Sequence, residues 1–441
     1  MRWQRGWKAG GRTLGRLALG SGAVALAVAS VGVVAPTGAG AAAASAPGVS
    51  AKEIQVGAIS TLTGPIASNF ESLVPGVDAY FDYVNAHGGV NGRKLVMAHS
   101  LDDGGNPSQF NSLANTLINQ DHVFAVVGVA TAFFSPNVFL ENKTPVFGYA
   151  VTSNWAPGQN LFAAGGSVQY YPAGEPSINW FVNKVSGKKA NVGILALGVA
   201  SSAASCKAFA QGAQQAGIKV GYTDFNVAYG GNPAPDVKRM QAAGVNTIIS
   251  CMDVDTNVSM ARAIQQYNYK GVKSLWLSGN DQPTLDQYQA LMQNVWFQIS
   301  HVPFVYGKTD PGKYPALAAY LKTMKKYEPK YVLDEVALQG WESAALFAQG
   351  VKMAGKNLTQ ANLVTQVNKI SNFTAGLFAP VNWTEAHNVN DVTPPYCAAW
   401  IQVKGDQFLP AFDTNNQAFL CFGSNITHPK MVSAPSGTPG T

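Results

Sequence analysis

The chain has 441 residues, 47% hydrophobic and only 12% charged, which describes a core-rich globular protein larger than one ordinary domain and excludes a disordered chain. Its formal net charge is +6, but five of the thirty Lys and Arg (Arg2, Arg5, Lys8, Arg12 and Arg16) lie within the first sixteen residues, far ahead of the first acidic residue, Glu53. Without those five, 25 basic residues face 24 acidic ones, so the remainder carries no basic footprint for nucleic acid.

An apolar stretch from Leu17 to Ala35 and the small-residue run GAGAAAASA follow the basic residues. Basic, then apolar, then A-x-A-like is the order of an export signal, here residues 1–45. The competing reading is an uncleaved anchor, since the stretch is just long enough to span, although Gly20, Ser21 and Gly22 weaken it. The protein is therefore expected to be periplasmic or extracellular, free or held at the outer face of the membrane by its signal. In that oxidising setting Cys206, Cys251, Cys397 and Cys421 are expected to form disulfides, with buried free thiols as the alternative. Of the three pairings, Cys206 with Cys251 and Cys397 with Cys421 are favoured, because each keeps within one lobe as assigned below. No cysteine lies near the signal to accept a lipid.

From Ile54 short apolar runs alternate with helical periodicity: IQVGAIS, GVDAYFDYVNAHGG, KLVMAHSLDD, NPSQFNSLANTLINQD, FAVVG and PVFGYAV. This is the βαβα order of a parallel sheet covered on both faces. Val77, Phe81 and Val84 share a helical face closed by Gly88-Gly89, and Asn106-Pro107 starts a second helix with Phe110, Leu113 and Leu117 inward. In VVGVATAFFSP, Val126 to Pro136, Gly128 reads as the strand-ending glycine and Ser135-Pro136 as a helix start. The order restarts with NVGILAL, a helix at 205–216, KVGYTDFNV, a helix at 235–243, NTIISCM, a helix at 257–267, and SLWLSG. After VWFQISHVPF come helical patterns over 314–327, 334–354 and 359–370, then a hairpin, CAAWIQVKGDQFLPAF, with Gly405-Asp406 at its tip. The fold class is α/β with two sequential halves joined near residues 165–171. One lobe is assigned to 52–167 and 300–390, the other to 168–299 and 391–425, with a flexible tail over 426–441.

Catalytic constellations are missing. The sequence has no G-x-S-x-G, H-E-x-x-H, C-x-x-C or G-x-x-x-x-G-K-[ST], and its six histidines have no metal-ligand spacing. No cofactor is implied. Acidic residues do stand where apolar strands end, at Asp102-Asp103 and at Asp253 with Asp255. That edge of an α/β sheet faces the ligand crevice, while capping and loop hydrogen bonding are the competing role.

Four pieces in order, VGAISTLTGPIA, VNAHGGVNGRKL, the DD followed by NPSQ, and TPVFGYAVTS, resemble the leucine/isoleucine/valine-binding proteins, type I extracellular solute-binding proteins of ABC importers, over residues 52–425. The resemblance implies two Rossmann-like lobes joined by a three-crossing hinge, with ligand trapped as the lobes close. In that family a ligand carboxylate is held by hydroxyls and backbone N–H groups at the ends of the third and fourth strands. Helix starts favour anions there on independent grounds. Carried over, the fourth-strand contacts fall on the Ala150 backbone and Thr152. The third-strand contact falls on Ala132, four residues after Gly128, where the family usually has serine, or on Thr131 one place earlier. Thr131 has the alternative of bonding its own backbone.

For a ligand ammonium the family presents an acidic residue after a second-lobe strand, which matches Asp281, or Asn280 if the loop differs by one residue. A helix cap is the competing role for Asp281. Family aromatic walls correspond here to Ser201 and Asp253, and Phe70 or Asn69 matches the aromatic of the first loop. Trp155 is a further candidate wall, or else a core residue. Together these imply a non-enzymatic, monomeric solute receptor that delivers an amino-acid-like or amide-like ligand to a membrane permease. Facing Asp253 and Asp281, such a ligand should carry donors or positive charge. The rivals are a sensory receptor of the same fold and a secreted α/β hydrolase, which the missing nucleophile elbow disfavours.

Overall fold

The computed structural model describes residues 46–166, 175–385, 387, 396–412 and 417–439. The export signal at 1–45, most of the junction at 165–171 and the lobe boundaries at 167/168 and 390/391 lie outside them.

The first sheet is fully parallel: β1 (Glu53–Ser60), β2 (Lys94–Asp102), β3 (Ala125–Ala130), β4 (Val146–Tyr149) and β5 (Leu161–Ala164), in the order β2-β1-β3-β4-β5. Every residue of β3 is buried, as parallel strands covered on both faces require. Its connecting helices are α1 (Leu73–Ala86), α2 (Pro107–Asn115) and the short α3 (Asn137–Asn142). As the periodicity implies, Val77, Phe81, Phe110 and Leu117 are buried, and the Asn106 side chain accepts from the Ser108 N–H to cap α2.

The stretch VVGVATAFFSP departs from its expected form. Gly128 does not end β3; it sits inside the strand at φ 113°, where the pairing with both neighbours shifts register, and the strand runs on to Ala130. A bulge accommodates this conformation at little cost only in glycine. Helix α3 begins at Asn137, one residue beyond the expected Ser135-Pro136 start.

The second sheet holds β6 (Asn191–Leu197), β7 (Lys219–Val227), β8 (Thr247–Cys251), β9 (Lys273–Trp276), β10 (Val295–Ile299), β11 (Tyr396–Lys404), β12 (Gln407–Ala411), β13 (Leu420–Phe422) and β14 (Met431–Val432). Strands β6 to β10 pair in parallel, whereas β11 to β14 add antiparallel. Its helices are α4 (Pro176–Ser186), α5 (Ala200–Gln215), α6 (Ala234–Ala242), α7 (Val254–Gln266) and α8 (Gln282–Met292). The expected hairpin is β11 with β12, and Gly405 turns at φ 63°. Residues 431–432 pair with Cys421 and Phe422, and Asn372 donates to the Ser436 carbonyl. The stretch expected to be a loose tail is thus held at these points.

Four further helices follow β10: α9 (Tyr306–Thr309), α10 (Pro315–Tyr327), α11 (Glu335–Ala354) and α12 (Gln360–Val367). Helix α11 returns to the first sheet, where Phe347 packs on Phe81, Phe124 and Phe147 and the Ser343 hydroxyl donates to the Gly148 carbonyl. The chain therefore passes between the sheets after β5, after β10 and before β11, the three crossings of the expected architecture.

Two glycines set where α11 lies. A Cβ on Gly76 of α1 would stand 1.8 Å from the Ala337 carbonyl oxygen, and one on Gly340 would stand 2.0 Å from that of Leu73. Only hydrogens let the two backbones approach so closely. The Ser72 hydroxyl, just before α1, also donates to Asp334 at 2.8 Å, just before α11. In the second sheet, disulfides join Cys206 to Cys251 and Cys397 to Cys421, the favoured pairing. The first ties α5 to β8; the second staples β11 to β13.

Candidate functional site

All strands of a parallel sheet end on one side, and the helices that follow start there. Here the strand ends of both sheets face one cavity of about 940 Å³. From the first sheet come Asn69 and Phe70 after β1, Ala132 and Phe133 after β3, and Tyr149, Val151 and Thr152 around the end of β4. From the second come Leu197 and Ser201 after β6, Tyr229 after β7, Met252 and Asp253 after β8, and Asn280 and Asp281 after β9. Asp334 and Glu335, at the start of α11, complete the lining.

Four helices start at this cavity, and three close their own ends with a carboxylate. Asp253 caps α7, accepting from the Thr256 N–H at 3.0 Å and its hydroxyl at 2.6 Å. Asp281 caps α8, accepting from the Thr284 N–H at 2.8 Å. Asp334 caps α11, accepting from the Ala337 N–H at 3.0 Å as well as from Ser72. The fourth helix, α5, has Val199 at its N-cap and no side-chain cap bond. Its first turns line the cavity with Ser201, Ser202 and Ser205, so its N–H groups offer donors to a ligand. Ser202 itself is committed, accepting from the Leu197 N–H and donating to the Cys251 carbonyl.

Burial shifts the acids of this wall. The Asp334 carboxyl is pushed up to about 7 by desolvation and by the facing charge of Asp281. Glu335 also rises to about 7, by desolvation and the Asp334 charge against the pull of the Asn280 and Gln339 amides. Asp281 is raised by burial, opposed by its bonds to Thr284. The Tyr149 hydroxyl is held protonated by burial, with Glu335 adding to the shift. Among the described residues no Lys, Arg or His lines the cavity. The acids among those lining residues are Asp253, Asp281, Asp334 and Glu335.

The sequence profile of the periplasmic binding protein family matches residues 53–407. The chain belongs to the periplasmic binding protein family. A Leu/Ile/Val-binding protein homolog of Brucella melitensis is 32% identical over 115 residues, 26% of this chain and 30% of that relative. Leu/Ile/Val-binding protein BraC3 of Rhizobium johnstonii is 37% identical over 80 residues, 18% of this chain and 21% of that relative. The chain thus matches about a third or less of the length of these relatives. Over the whole fold it is similar to a fatty acid ABC transporter substrate-binding protein from Thermomonospora curvata (TM-score 0.68, 18% identity, 84% of this chain and 95% of that one). It is also similar to an ABC transporter solute-binding protein from R. palustris in complex with benzoate (TM-score 0.65, 14% identity, 88% and 99%). At such identities these structures bear on the fold, and the fold is that of type I periplasmic binding proteins.

Measured against this binding protein's cleft, the candidate residues sort by what holds them. Phe70, Asn69, Ala132, Thr152, Ser201, Asp253, Asn280 and Asp281 all line it. Asp253 and Asp281 are at once caps and wall, so the two roles weighed for them are one arrangement. Ala150 is buried between the lining residues Tyr149 and Val151. Asp255 is exposed on the first turn of α7 and does not face the cavity.

Two candidates are displaced. Trp155 is wholly buried and stacked on Phe134 with centroids 4.2 Å apart, so it is a core residue and not a wall. Thr131 is 1% exposed; its hydroxyl donates to Asp103, and it accepts from the Phe133 N–H at 3.1 Å. Asp103, wholly buried, also accepts from the Thr61 hydroxyl and the Gly105 N–H. Thr131 therefore braces the loop, and it is Ala132 that reaches the cavity. The position where the family usually has serine brings no hydroxyl, and one loop N–H is already occupied.

Sequence reasoning passed over Tyr149, Tyr229, Asp334 and Glu335. Tyr149 ends a strand that was identified, so strand-end position marks it out. Asp334-Glu335 reads as an ordinary helix start, and nothing local tells that α11 opens into a cleft.

Proposed function

We propose that this binding protein captures a small amino-acid-like or amide-like solute between two lobes, 52–167 with 300–390 and 168–299 with 391–425. It then delivers that solute to the membrane permease of an ABC importer. The observation that carries this reading is the single cavity lined by the strand ends of both sheets. A ligand held by both lobes favours the closed arrangement by its differential contacts, which is how a hinge protein converts binding into a signal its transporter can read. The family and the basic-then-apolar N-terminus both support export to the compartment where such a protein works.

The ligand chemistry follows from the lining. Phe70, Phe133, Tyr149, Leu197 and Met252 supply apolar and aromatic surface, which suits a hydrocarbon body. Four carboxylates, with no basic side chain among the described lining residues, favour donors or positive charge at its polar end. Similar structures are described as a fatty acid transporter component and as a benzoate complex. A carboxylate ligand of that kind would have only neutral donors, backbone N–H, hydroxyl and Asn amide, to meet it among the described lining residues.

The test is a thermal-shift screen of amino acids, amino acid amides, aliphatic amides and simple carboxylates, since a ligand bound only by the folded state raises Tm. Stabilisation by the amino-acid or amide members is expected. Stabilisation by carboxylates alone, or by nothing in the panel, contradicts the reading.

A further inference from the structure

We propose that Glu335, at the start of α11, is the residue that selects the ligand, by pairing with a protonated nitrogen on it. The inference rests on the solute-binding reading above and names the group that reads the polar end.

The three aspartates of the cleft are already engaged. Both oxygens of Asp253 accept from Thr256, Asp281 holds the first turn of α8, and Asp334 holds both α11 and Ser72. A carboxylate that turned from its helix end toward a ligand would leave buried N–H groups unsatisfied. Glu335 has no such duty. Its carboxylate closes no helix end; what lies against it are the side-chain amides of Asn280 and Gln339, which a ligand can share.

A second observation points to a ligand at the same place. Asn280 is 5% exposed and lines the cleft, and its Nδ2 reaches no acceptor among the described residues beyond the Glu335 carboxylate beside it. Thr152 Oγ1, on the opposite sheet, is buried and unpartnered. Buried polar atoms in native proteins are nearly always satisfied, so such atoms in a cavity wall are places for ligand atoms. A nitrogen cation at Glu335 with a carbonyl beside it gives Asn280 a further acceptor and Glu335 its counter-charge. Both events involve buried groups, where charge-assisted bonds are strongest. The Glu335 carboxyl is raised to about 7 by burial, with the Asp334 charge adding to the shift, so a cation beside it would favour its charged form. The groups facing it, Asp334, Tyr149 and the Asn280 and Gln339 amides, carry no positive charge, so a cationic nitrogen is the counter-charge this position accepts. The resemblance to Leu/Ile/Val-binding proteins instead directs the ammonium to Asp281, and the two assignments are separable.

The probes are leucinamide and 4-methylpentanamide, which differ only in the amino group, titrated calorimetrically at pH 7. Wild-type protein is expected to bind leucinamide at least tenfold tighter. In Glu335→Gln that ratio should fall to near one, while Asp281→Asn retains it. Equal affinity of the two amides in wild type overturns the proposal. So does a ratio that survives Glu335→Gln, or one lost in Asp281→Asn instead; each moves the cation elsewhere or removes it. Absence of heat from both probes at millimolar concentration also overturns it. The broader solute-binding reading fails only if the whole screening panel is silent, so the two failures are distinguishable.

Discussion

Replacing Gly340 by alanine puts one methyl group into the crossing of α1 and α11, and the outcome decides whether that crossing positions the cleft. The added carbon would lie 2.0 Å from the Leu73 carbonyl oxygen and 3.1 Å from the Val77 nitrogen, about 1.5 Å inside ordinary contact with the first. Both are backbone atoms, so no side-chain rotation relieves the clash and the helices must part. Alanine for glycine in a helix interior favours the helix by about 1 kcal/mol. Overpacking a tight interface costs about 1–3 kcal/mol, and a backbone clash belongs at the upper end. The net expectation is a loss of about 2 kcal/mol, or a Tm lower by about 2 °C for a chain of this length. Because α11 carries Asp334 and Glu335, leucinamide affinity should fall in the same variant. Differential scanning calorimetry of Gly340→Ala against Gly312→Ala, whose added carbon meets nothing within 4 Å, isolates the effect. An unchanged or raised Tm for Gly340→Ala would show that helix propensity outweighs the crossing and refute the reasoning.

Three further expectations follow. Glu342 on α11 is 1% exposed; burial pushes its carboxyl from 4.5 up to about 8, opposed by the backbone N–H of Gly165. Folding favours its protonated form, so this contribution is full below about pH 4.5 and lost as pH rises through about 8. Tm measured from pH 5 to pH 9 should decline more steeply in wild type than in Glu342→Gln, and parallel curves would contradict this. Replacing Cys206 and Cys251 by alanine opens a link spanning 45 residues, a loss of up to about 4 kcal/mol by the chain-entropy estimate; unchanged urea unfolding would count against it. Thr131→Val removes one of the donors to buried Asp103 and should cost about 1–3 kcal/mol, with leucinamide affinity altered less than about threefold. A large affinity loss at unchanged stability would instead put the hydroxyl in the cleft.

How much the sequence disclosed depended on how local each cause was. The alternation of sheet and helix was readable because Val77 and Phe81, or Phe110 and Leu117, declare a buried face at helical spacing. Both disulfides were accessible from lobe membership alone. Gly128 was misread because a glycine in an apolar run looks like punctuation, and a bulge inside β3 has the same local signature. Asp253 and Asp281 were placed correctly at strand ends, but capping and lining occupy the same position and cannot be separated along the chain. Glu335 was beyond reach for another reason. Its place in the cleft depends on a glycine crossing and on the bond from Ser72 to Asp334, residues 262 positions apart. Trp155 shows the converse: three residues from a lining threonine, it turns into the core against Phe134.

The central claim, that the two sheets' strand ends form one ligand cleft read by Glu335, is tested most directly by a crystal structure with leucinamide bound. The account expects the ligand between the lobes, its ammonium within about 3 Å of Glu335 and its carbonyl facing Asn280. A ligand lodged outside the cleft, or one whose ammonium sits on Asp281 or Asp253 with Glu335 untouched, would contradict it.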